Sequence, residues 1–344
     1  MTSEPTNDGS VRSVTTQLEA EAKSMANDLA HLVRQHSGLS DVNKRSGGVV
    51  FVGASHAWKE LSTEGAQLRS KLLRDLDHFS ALVSALLVDQ PTAVTRQIAQ
   101  HSNAIRGTVE QSHLSWHATT EDALQASLEA LGQILIAIHR LYDPTEGTVV
   151  FVPDTNALLF NPELERWQFP EVHRFTLVLV PAVLSELDSL KINHRNPDVR
   201  EKAEGLIRRI KEYRRRGELA EGVTLVQGVV LLRTVAKEPN MEKTLPWLDP
   251  VNADDRFLAA VLEVMRLHPR SAVQLVTRDI NLQNKAEFAK VPFVEPPETT
   301  ARAASPRLRN RSPVNTRAGA VSSGVASEPR PVTDPHRTST PAAM

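Results

Sequence analysis

Cysteine is absent from the 344 residues of this chain, which excludes disulfide bridges, thiolate metal ligands and cysteine nucleophiles. The absence fits a reducing compartment, and we expect the protein to be cytoplasmic. Aromatic residues make up only 4% of the chain, which argues against modules that bind nucleic acid by stacking bases on aromatic rings. The formal net charge is -1, so any attraction to nucleic acid must come from local patches rather than from the whole molecule.

Long apolar runs are also missing. No uncharged apolar stretch approaches the ~20 residues that span a bilayer, and the polar first residues, MTSEPTNDGS, lack the apolar core of a signal peptide. We therefore expect no membrane partner. The hydrophobic content of 40% is nevertheless sufficient for real cores, and the length leaves room for two domains and tails.

Composition divides the chain into three parts. Residues 1–147 carry helical periodicity and predict an all-α helical domain, with about ten disordered residues at its start. Residues 148–297 alternate short apolar runs with amphipathic segments. Residues 298–344 are rich in Pro, Ser, Thr, Ala and Arg and contain too few large apolar side chains to offset chain entropy, so we expect a disordered tail.

The first helix of the N-terminal domain has heptad-like spacing. The apolar positions are Val11, Leu18, Met25 and Leu32, with Val14, Ala22 and Leu29 on the same face. This spacing favours an interaction surface, either for a homo-oligomer or for a protein partner, but a self-contained helical bundle explains it equally well. The domain could also inhibit the rest of the chain.

Residues 148–297 predict an α/β fold. The predicted strands are residues 149–152, 176–180, 224–227, 273–277 and 293–294, and the predicted helices are residues 181–190, 198–215, 253–267 and 282–289. Strands that are almost continuously apolar and separated by helices indicate a parallel sheet that is covered on both faces.

Acidic residues recur where these predicted strands end and helices begin. Asp154 and Asp279 end strands, Glu186 lies one turn into a helix, and Asp254 and Asp255 open another. In a parallel sheet these positions lie at one edge, where two carboxylates ~4 Å apart would repel by ~4 kcal/mol at an effective dielectric constant near 20. Such a cluster requires raised pKa values or a bound cation. Oxygen ligands without His or Cys select Mg²⁺ or Mn²⁺.

Each acid also has a simpler interpretation. Asp154 suits a helix N-cap, and Asp254 and Asp255 suit the first turn of a helix that Asn252 caps. Glu186 could be a solvated helix residue and Asp279 a turn residue. All these interpretations would have to hold together for the strand-end pattern to be coincidental.

Four motifs in this order resemble the PIN domain, a nuclease fold found in RNA-decay nucleases, ribosomal RNA processing factors and bacterial toxins. The motifs are PDTNALL, VPAVLSELDSLK, NADDRFLAAVLE and LVTRDINLQNKA. The long helix and the ending of the fourth motif are closer to the PIN domains of RNA-decay and PhoH-linked proteins than to those of minimal toxins. The resemblance covers residues 148–297, and residues 1–147 resemble no family that we recognise.

The resemblance implies a metal-dependent endoribonuclease that uses one or two Mg²⁺ or Mn²⁺ ions, held mostly through water. Its catalytic acids and metal ligands would be Asp154, Glu186, Asp255 and Asp279, with Asp154 and Asp279 as the most direct ligands. Asn156, Asp254 and Thr277 would support them, Asn156 and Thr277 by hydrogen bonds to carboxylates or phosphate.

Basic residues near the acids are candidates for binding the phosphates of single-stranded RNA. Arg256 and Arg278 each flank a proposed catalytic acid, and Lys191 and Arg195 follow the Glu186 motif. The bases from Arg200 to Arg216 could also contact phosphates, and a solvated helix face with glutamate partners explains them nearly as well.

Three other functions stay open. One is a non-catalytic RNA-binding or scaffold protein in which the acids bind metal structurally, and a second is a structure-specific DNA nuclease on a similar sheet. The third, a toxin of a toxin–antitoxin pair, is disfavoured by the long helical extension.

Overall fold

The computed structural model of the protein describes residues 11–42, 56–112, 114–144 and 148–298. The described residues belong to one compact unit, which ends at Thr299. The expectations for the first ten residues and for the tail from residue 299 lie outside the described residues. The assignment of residues 1–147 and 148–297 to separate domains stays a prediction.

The N-terminal part is helical, as predicted. Its helices are α1 (Val14–His31), α2 (Thr63–Leu86), α3 (Thr92–Glu110) and α4 (Thr120–Tyr142). A single π-helical segment, Leu32–His36, continues α1. The sequence did not indicate the small antiparallel sheet of β1 (Leu39–Asp41), β2 (His56–Trp58) and β3 (Leu114–Ser115). Each strand has only two or three residues, which is too short to produce a periodic apolar pattern.

The heptad-like face of α1 is buried inside the chain. Leu18, Met25 and Leu29 are at most 6% exposed, and α1 packs against α2 and α4. The bundle itself therefore accounts for the spacing, since these side chains already fill the core.

The C-terminal part is built on a six-stranded mixed sheet with mostly parallel strands. Its strands are β4 (Val149–Pro153), β5 (Phe175–Leu179), β6 (Val223–Val226), β7 (Val230–Thr234), β8 (Ala272–Val276) and β9 (Phe293–Val294), in the order β6-β7-β5-β4-β8-β9. Strands β4, β5, β7, β8 and β9 are parallel, and β6 pairs antiparallel with β7. The α/β prediction is confirmed, with an antiparallel edge that it did not include.

Strand β7 was missed in the sequence because it follows β6 after a tight turn. Gly228 has a φ of 70°, a backbone conformation that glycine adopts without the steric cost of a Cβ. The turn separates two apolar runs by only three residues, so that the pattern predicts a strand for the first run alone. The resulting hairpin forms one edge of the sheet.

Five α-helices accompany the sheet in this part of the described chain: α5 (Thr155–Phe160), α6 (Pro181–Asn193), α7 (Pro197–Arg216), α8 (Ala253–Leu267) and α9 (Ile280–Phe288). Helix α8 is the central one, because ten of its fifteen residues are buried. None of the described helices is both long enough and apolar enough to cross a membrane.

The N-terminal helices contact the C-terminal part of the chain at α8, and also at the end of α9, where the His78 and Phe288 rings lie 4.3 Å apart. Arg266 donates from Nη1 to the carbonyl oxygen of Ala85, at 2.8 Å, and forms a buried ion pair with Glu263. Arg266 lies eleven residues after Asp255, which corresponds to about 16 Å along α8. This contact is therefore at the end of α8 that is remote from the acidic strand ends.

Candidate metal centre

The candidate site forms where β4 and β8 end side by side. Their parallel register pairs Pro153 with Val276, and the Asp154 amide continues the pairing by donating to the Val276 carbonyl at 3.0 Å. Asp279 follows the end of β8 by three residues. The parallel arrangement thus brings the first and fourth predicted acids to the same edge of the sheet.

Asp154 is buried, with 6% of its surface exposed. Its Oδ1 accepts a hydrogen bond of 2.6 Å from the Ala157 amide, so that Asp154 is the N-cap of α5. Burial raises the pKa of Asp154 to about 6, and the hydrogen bonds from Thr277 and Ala157 oppose this shift. The capping interpretation is therefore correct, but capping alone leaves a strongly perturbed carboxyl at the strand end.

Thr277 joins Asp154 to Asp279. Its hydroxyl donates to Asp154 Oδ2 at 2.5 Å and accepts from the Asp279 amide at 3.0 Å. Thr277 is fully buried. A single hydroxyl therefore fixes one carboxylate and the backbone of the other.

Asp279 is the N-cap of α9. Its Oδ1 accepts from the amides of Asn281 and Leu282, at 2.8 and 3.3 Å. Its Oδ2 accepts no hydrogen bond from the described residues, and the side chain is partly exposed. One carboxylate oxygen is thus committed to the helix and the other is open to a ligand.

Glu186 reaches the same region from the second turn of α6. The Thr155 hydroxyl donates to Glu186 Oε2 at 2.6 Å, and Thr155 directly follows Asp154. Glu186 is otherwise exposed. The charges of both Asp279 and Glu186 contribute to the raised pKa of Asp154, so these three carboxylates interact electrostatically.

Asp255 has different neighbours. It is 5% exposed, and its two oxygens accept from Lys285 Nζ at 2.6 Å and from the Asp249 amide at 2.9 Å. Lys285 also lies 3.3 Å from Asp254. Burial lowers the pKa of Lys285, but the hydrogen bond to Asp255 and the charges of Asp254 and Asp255 outweigh burial and raise it. The lysine therefore already neutralises much of the negative charge at the start of α8.

No three Asp, Glu or His side chains among the described residues stand close enough together to hold a metal ion as they are placed. The candidate metal ligands around Asp154 are all carboxylate or hydroxyl oxygens, which are the ligands that hard divalent cations prefer. Mg²⁺ commonly keeps several waters and needs only one or two direct carboxylates. The donor set therefore fits a water-rich ion better than a fully protein-coordinated one.

The other predicted residues take separate positions. Asn156 is exposed on the first turn of α5. The Arg278 guanidinium lies 3.9 Å from the centre of the Phe160 ring, and this cation–π contact holds it beside α5. Arg256 is partly buried and Arg195 is exposed.

Lys191 forms an ion pair of 3.3 Å with Asp188, which reduces its availability for phosphate. On α7, the predicted inner face is buried at Leu206, Ile210 and Tyr213. The outward bases are exposed, and they are Lys202, Arg208, Lys211, Arg214, Arg215 and Arg216.

Two residues of the site, Thr155 and Lys285, are not among those predicted from the sequence. Thr155, which holds Glu186, is adjacent to Asp154 in the first motif, so its position was a usable signal. Lys285, which pairs with Asp255, lies in the fourth motif, but only the folded chain brings α9 against the start of α8.

The comparisons with known proteins agree with this geometry. The model of the PIN domain family matches residues 151–295, from β4 to the residue after β9, and thereby includes all four acids. No curated protein matches the chain. Residues 151–295 are therefore similar to the PIN domain, a family whose members are generally metal-dependent nucleases.

Proposed function

We propose that the protein is a metal-dependent endoribonuclease that hydrolyses phosphodiester bonds of single-stranded RNA. The observation that carries the proposal is the buried carboxyl of Asp154, whose pKa is raised to about 6 at the end of a parallel strand beside Asp279 and Glu186. Ionising a buried carboxyl costs free energy. A site that retains such a group beside two more carboxylates is suited to a cation.

The cofactor in this proposal is Mg²⁺ or Mn²⁺, one or two ions. Asp154 and Asp279 are the most direct ligands, because Thr277 fixes both and Asp279 Oδ2 accepts no bond from the described residues. Glu186 would hold the ion through water from its exposed side. When bound, the ion lowers the pKa of a water molecule and neutralises charge that develops on the phosphate.

Asp255 has a different part in the proposal. Its bond to Lys285 leaves less negative charge for a cation, so Asp255 would act through water or after Lys285 moves towards a phosphate. Asp254, paired with the same lysine, would support it. In either arrangement Lys285 balances charge at the start of α8 when no cation is present.

RNA would be held by bases around the strand ends. Arg278 is the strongest candidate, because it is exposed one residue before Asp279 and its contact with Phe160 limits its rotation. Arg256, Lys191 and Arg195 would add sequence-independent phosphate contacts. Asn156, exposed beside Asp154, would donate a hydrogen bond to the phosphate.

Cleavage of labelled RNA and DNA tests the proposal. Wild type, Asp154→Asn and Asp279→Asn are compared in Mg²⁺, Mn²⁺ and EDTA, with Asp122→Asn, an exposed position on α4, as the matched control. We expect internal cleavage of single-stranded RNA that requires a metal, is lost in the two site variants and is retained in the control. Activity in EDTA, or unchanged activity in both site variants, would sink the mechanism.

The same assay separates the alternative functions. Binding of RNA without cleavage under every metal would favour a scaffold, and preferential cleavage of branched or flapped DNA would favour a DNA nuclease. The cytoplasm is the compartment that the absence of cysteine favours.

The N-terminal helices would support the nuclease part or dock a partner rather than block the carboxylate site. Arg266 contacts them at the end of α8 that is remote from Asp255. A homo-oligomer or a protein partner stays a proposal for this part, and sedimentation of the full chain measures it. A nuclease that becomes faster when the helices are removed would contradict the supporting role.

A further inference from the structure

A pocket lies at the side of the sheet where β4 and β5 begin, away from the carboxylate site. It has a volume of about 350 Å³ and is lined by the starts of β4 and β5, by β6, by β7 as far as Arg233 and by the turn after α8. Val150 of β4 is four residues before Asp154, which is about 13 Å along the strand. Strand β7 lies two strands from β4 in the sheet. The pocket is therefore separate from the carboxylate site.

The pocket is cationic. Arg174, Arg233 and His268 line it together with the hydroxyl-bearing side chains of Thr176 and Ser271. None of the described residues that line it is an aspartate or a glutamate. A cavity with two guanidinium groups and no carboxylate attracts an anion.

Arg233 provides the second observation. Its Nε is buried and has no hydrogen-bond partner among the described residues. A buried guanidinium donor that is left unpaired costs free energy, so the position is one that a ligand acceptor would improve. His268 lines the same pocket as Arg233, and burial together with the charge of Arg233 lowers the pKa of His268.

The walls add an apolar component. Val149, Val226 and Leu231 line the pocket beside the cationic groups. The register places Val150, Thr176 and Leu231 side by side across three strands, on one face of the sheet. Val149 pairs with Phe175 and is on the other face, so the pocket is bounded by both faces at this end of the sheet. The volume is at the lower end of the range for small organic ligands. An anion attached to a small flat apolar group fits this combination better than a bare ion.

We propose that this pocket binds the phosphate group of a nucleotide, with Arg174 and Arg233 on the phosphate and the apolar wall against the base. Arginine is the side chain best suited to two-point recognition of phosphate oxygens. The nucleotide can be free or can be the terminal residue of an RNA chain. The site is independent of the metal and of the proposed cleavage chemistry.

Calorimetric titration of the full-length chain in EDTA tests the proposal. The probes are AMP, adenosine, inorganic phosphate, and a short single-stranded RNA with and without a 5′-phosphate. We expect one AMP molecule to bind per chain, inorganic phosphate to bind with lower affinity, and adenosine not to bind. Arg233→Gln and Arg174→Gln should each raise the Kd for AMP roughly tenfold. Arg96→Gln, the same change at an exposed position on α3, should leave the Kd unchanged.

The outcomes are distinguishable. Binding of only the phosphorylated RNA, with the same dependence on Arg233, identifies the ligand as an RNA end. Adenosine binding as well as AMP, or AMP binding equally in both pocket variants and wild type, would overturn the proposal, as would no binding of any phosphate-bearing probe. Arg174 is exposed, so its variant keeps the test valid if Arg233→Gln unfolds. The Asp279→Asn variant should bind AMP with the wild-type Kd. The AMP proposal and the nuclease proposal can therefore fail independently of each other.

Discussion

Replacing Asp154 by Asn should stabilise the metal-free protein at neutral pH while removing its activity. Asn keeps an oxygen that can accept from the Ala157 amide, so the cap of α5 is preserved. It removes a buried carboxyl whose pKa is about 6 in the folded chain and 3.8 in a model compound. In the wild type, the folded state binds this proton more tightly than the unfolded state does. Its contribution to stability is therefore present below pH 3.8 and is lost as pH rises towards 6.

The magnitude follows from the two pKa values. Their difference, at about 1.4 kcal/mol per pH unit, gives about 3 kcal/mol. The free energy of unfolding of Asp154→Asn relative to wild type should thus increase by about 2 to 2.5 kcal/mol between pH 4 and pH 7, because part of the full difference falls below pH 4. The free energy of unfolding is measured against pH for the variant and for wild type. Subtracting one curve from the other removes the contribution of every group whose titration the substitution leaves unchanged.

The assay is urea unfolding in EDTA across this pH range, followed by far-UV circular dichroism. Asp255→Asn is the matched control, because Asp255 is equally buried but is paired with Lys285. Its loss should destabilise the protein by about 1 to 3 kcal/mol at neutral pH, since it removes a charged hydrogen-bond partner. Saturating Mg²⁺ should stabilise wild type and leave Asp154→Asn unchanged. If the difference between Asp154→Asn and wild type does not depend on pH, the account of the buried carboxyl is wrong.

Three further predictions concern other residues. Thr277→Val removes the hydroxyl that lowers the pKa of Asp154, so the acid limb of the pH–rate profile for RNA cleavage should move to higher pH. Arg278→Gln should raise KM for RNA severalfold with little change in kcat, because the phosphate contact is present before and during the reaction. Arg266→Leu should destabilise the protein by about 1 to 3 kcal/mol in urea unfolding, because it leaves the buried Glu263 with Lys237 as its remaining ion-pair partner.

Each of these has a control within the chain. Thr277→Ser keeps the hydroxyl and should restore the wild-type profile, whereas a shift as large as that of Thr277→Val would assign the effect to packing. Arg96→Gln makes the same change as Arg278→Gln far along the chain, and an equal rise in KM would indicate a general charge effect. Replacing both Arg266 and Glu263 by apolar residues should recover part of the lost stability, and a further loss would show that the contact to Ala85 dominates.

The positions of the acids could be predicted from the sequence because each is tied to a local signal. Asp154 and Asp279 end buried strands, and parallel strands bring such ends to one edge of a sheet. The partners of the acids could not be predicted in the same way. Lys285 pairs with Asp255 across thirty residues, a contact that depends on how α9 packs against α8. Strand β7 was missed because a tight turn at Gly228 joins it to β6.

Helix capping and metal binding are compatible at this site rather than alternative interpretations of it. A carboxylate has two oxygens and about four acceptor positions, and a cap uses one oxygen. In Asp279 both capping bonds go to Oδ1. In Asp154 Oδ1 caps α5, and Oδ2 accepts a single bond from Thr277. Residues at a strand end that also start a helix are thus held rigidly by one oxygen while the other keeps acceptor capacity. A helix cap alone does not require burial near other carboxylates, because burial only raises the free energy of the charged form. A strand-end cap whose pKa is raised is accordingly better evidence for a cation site than either property alone.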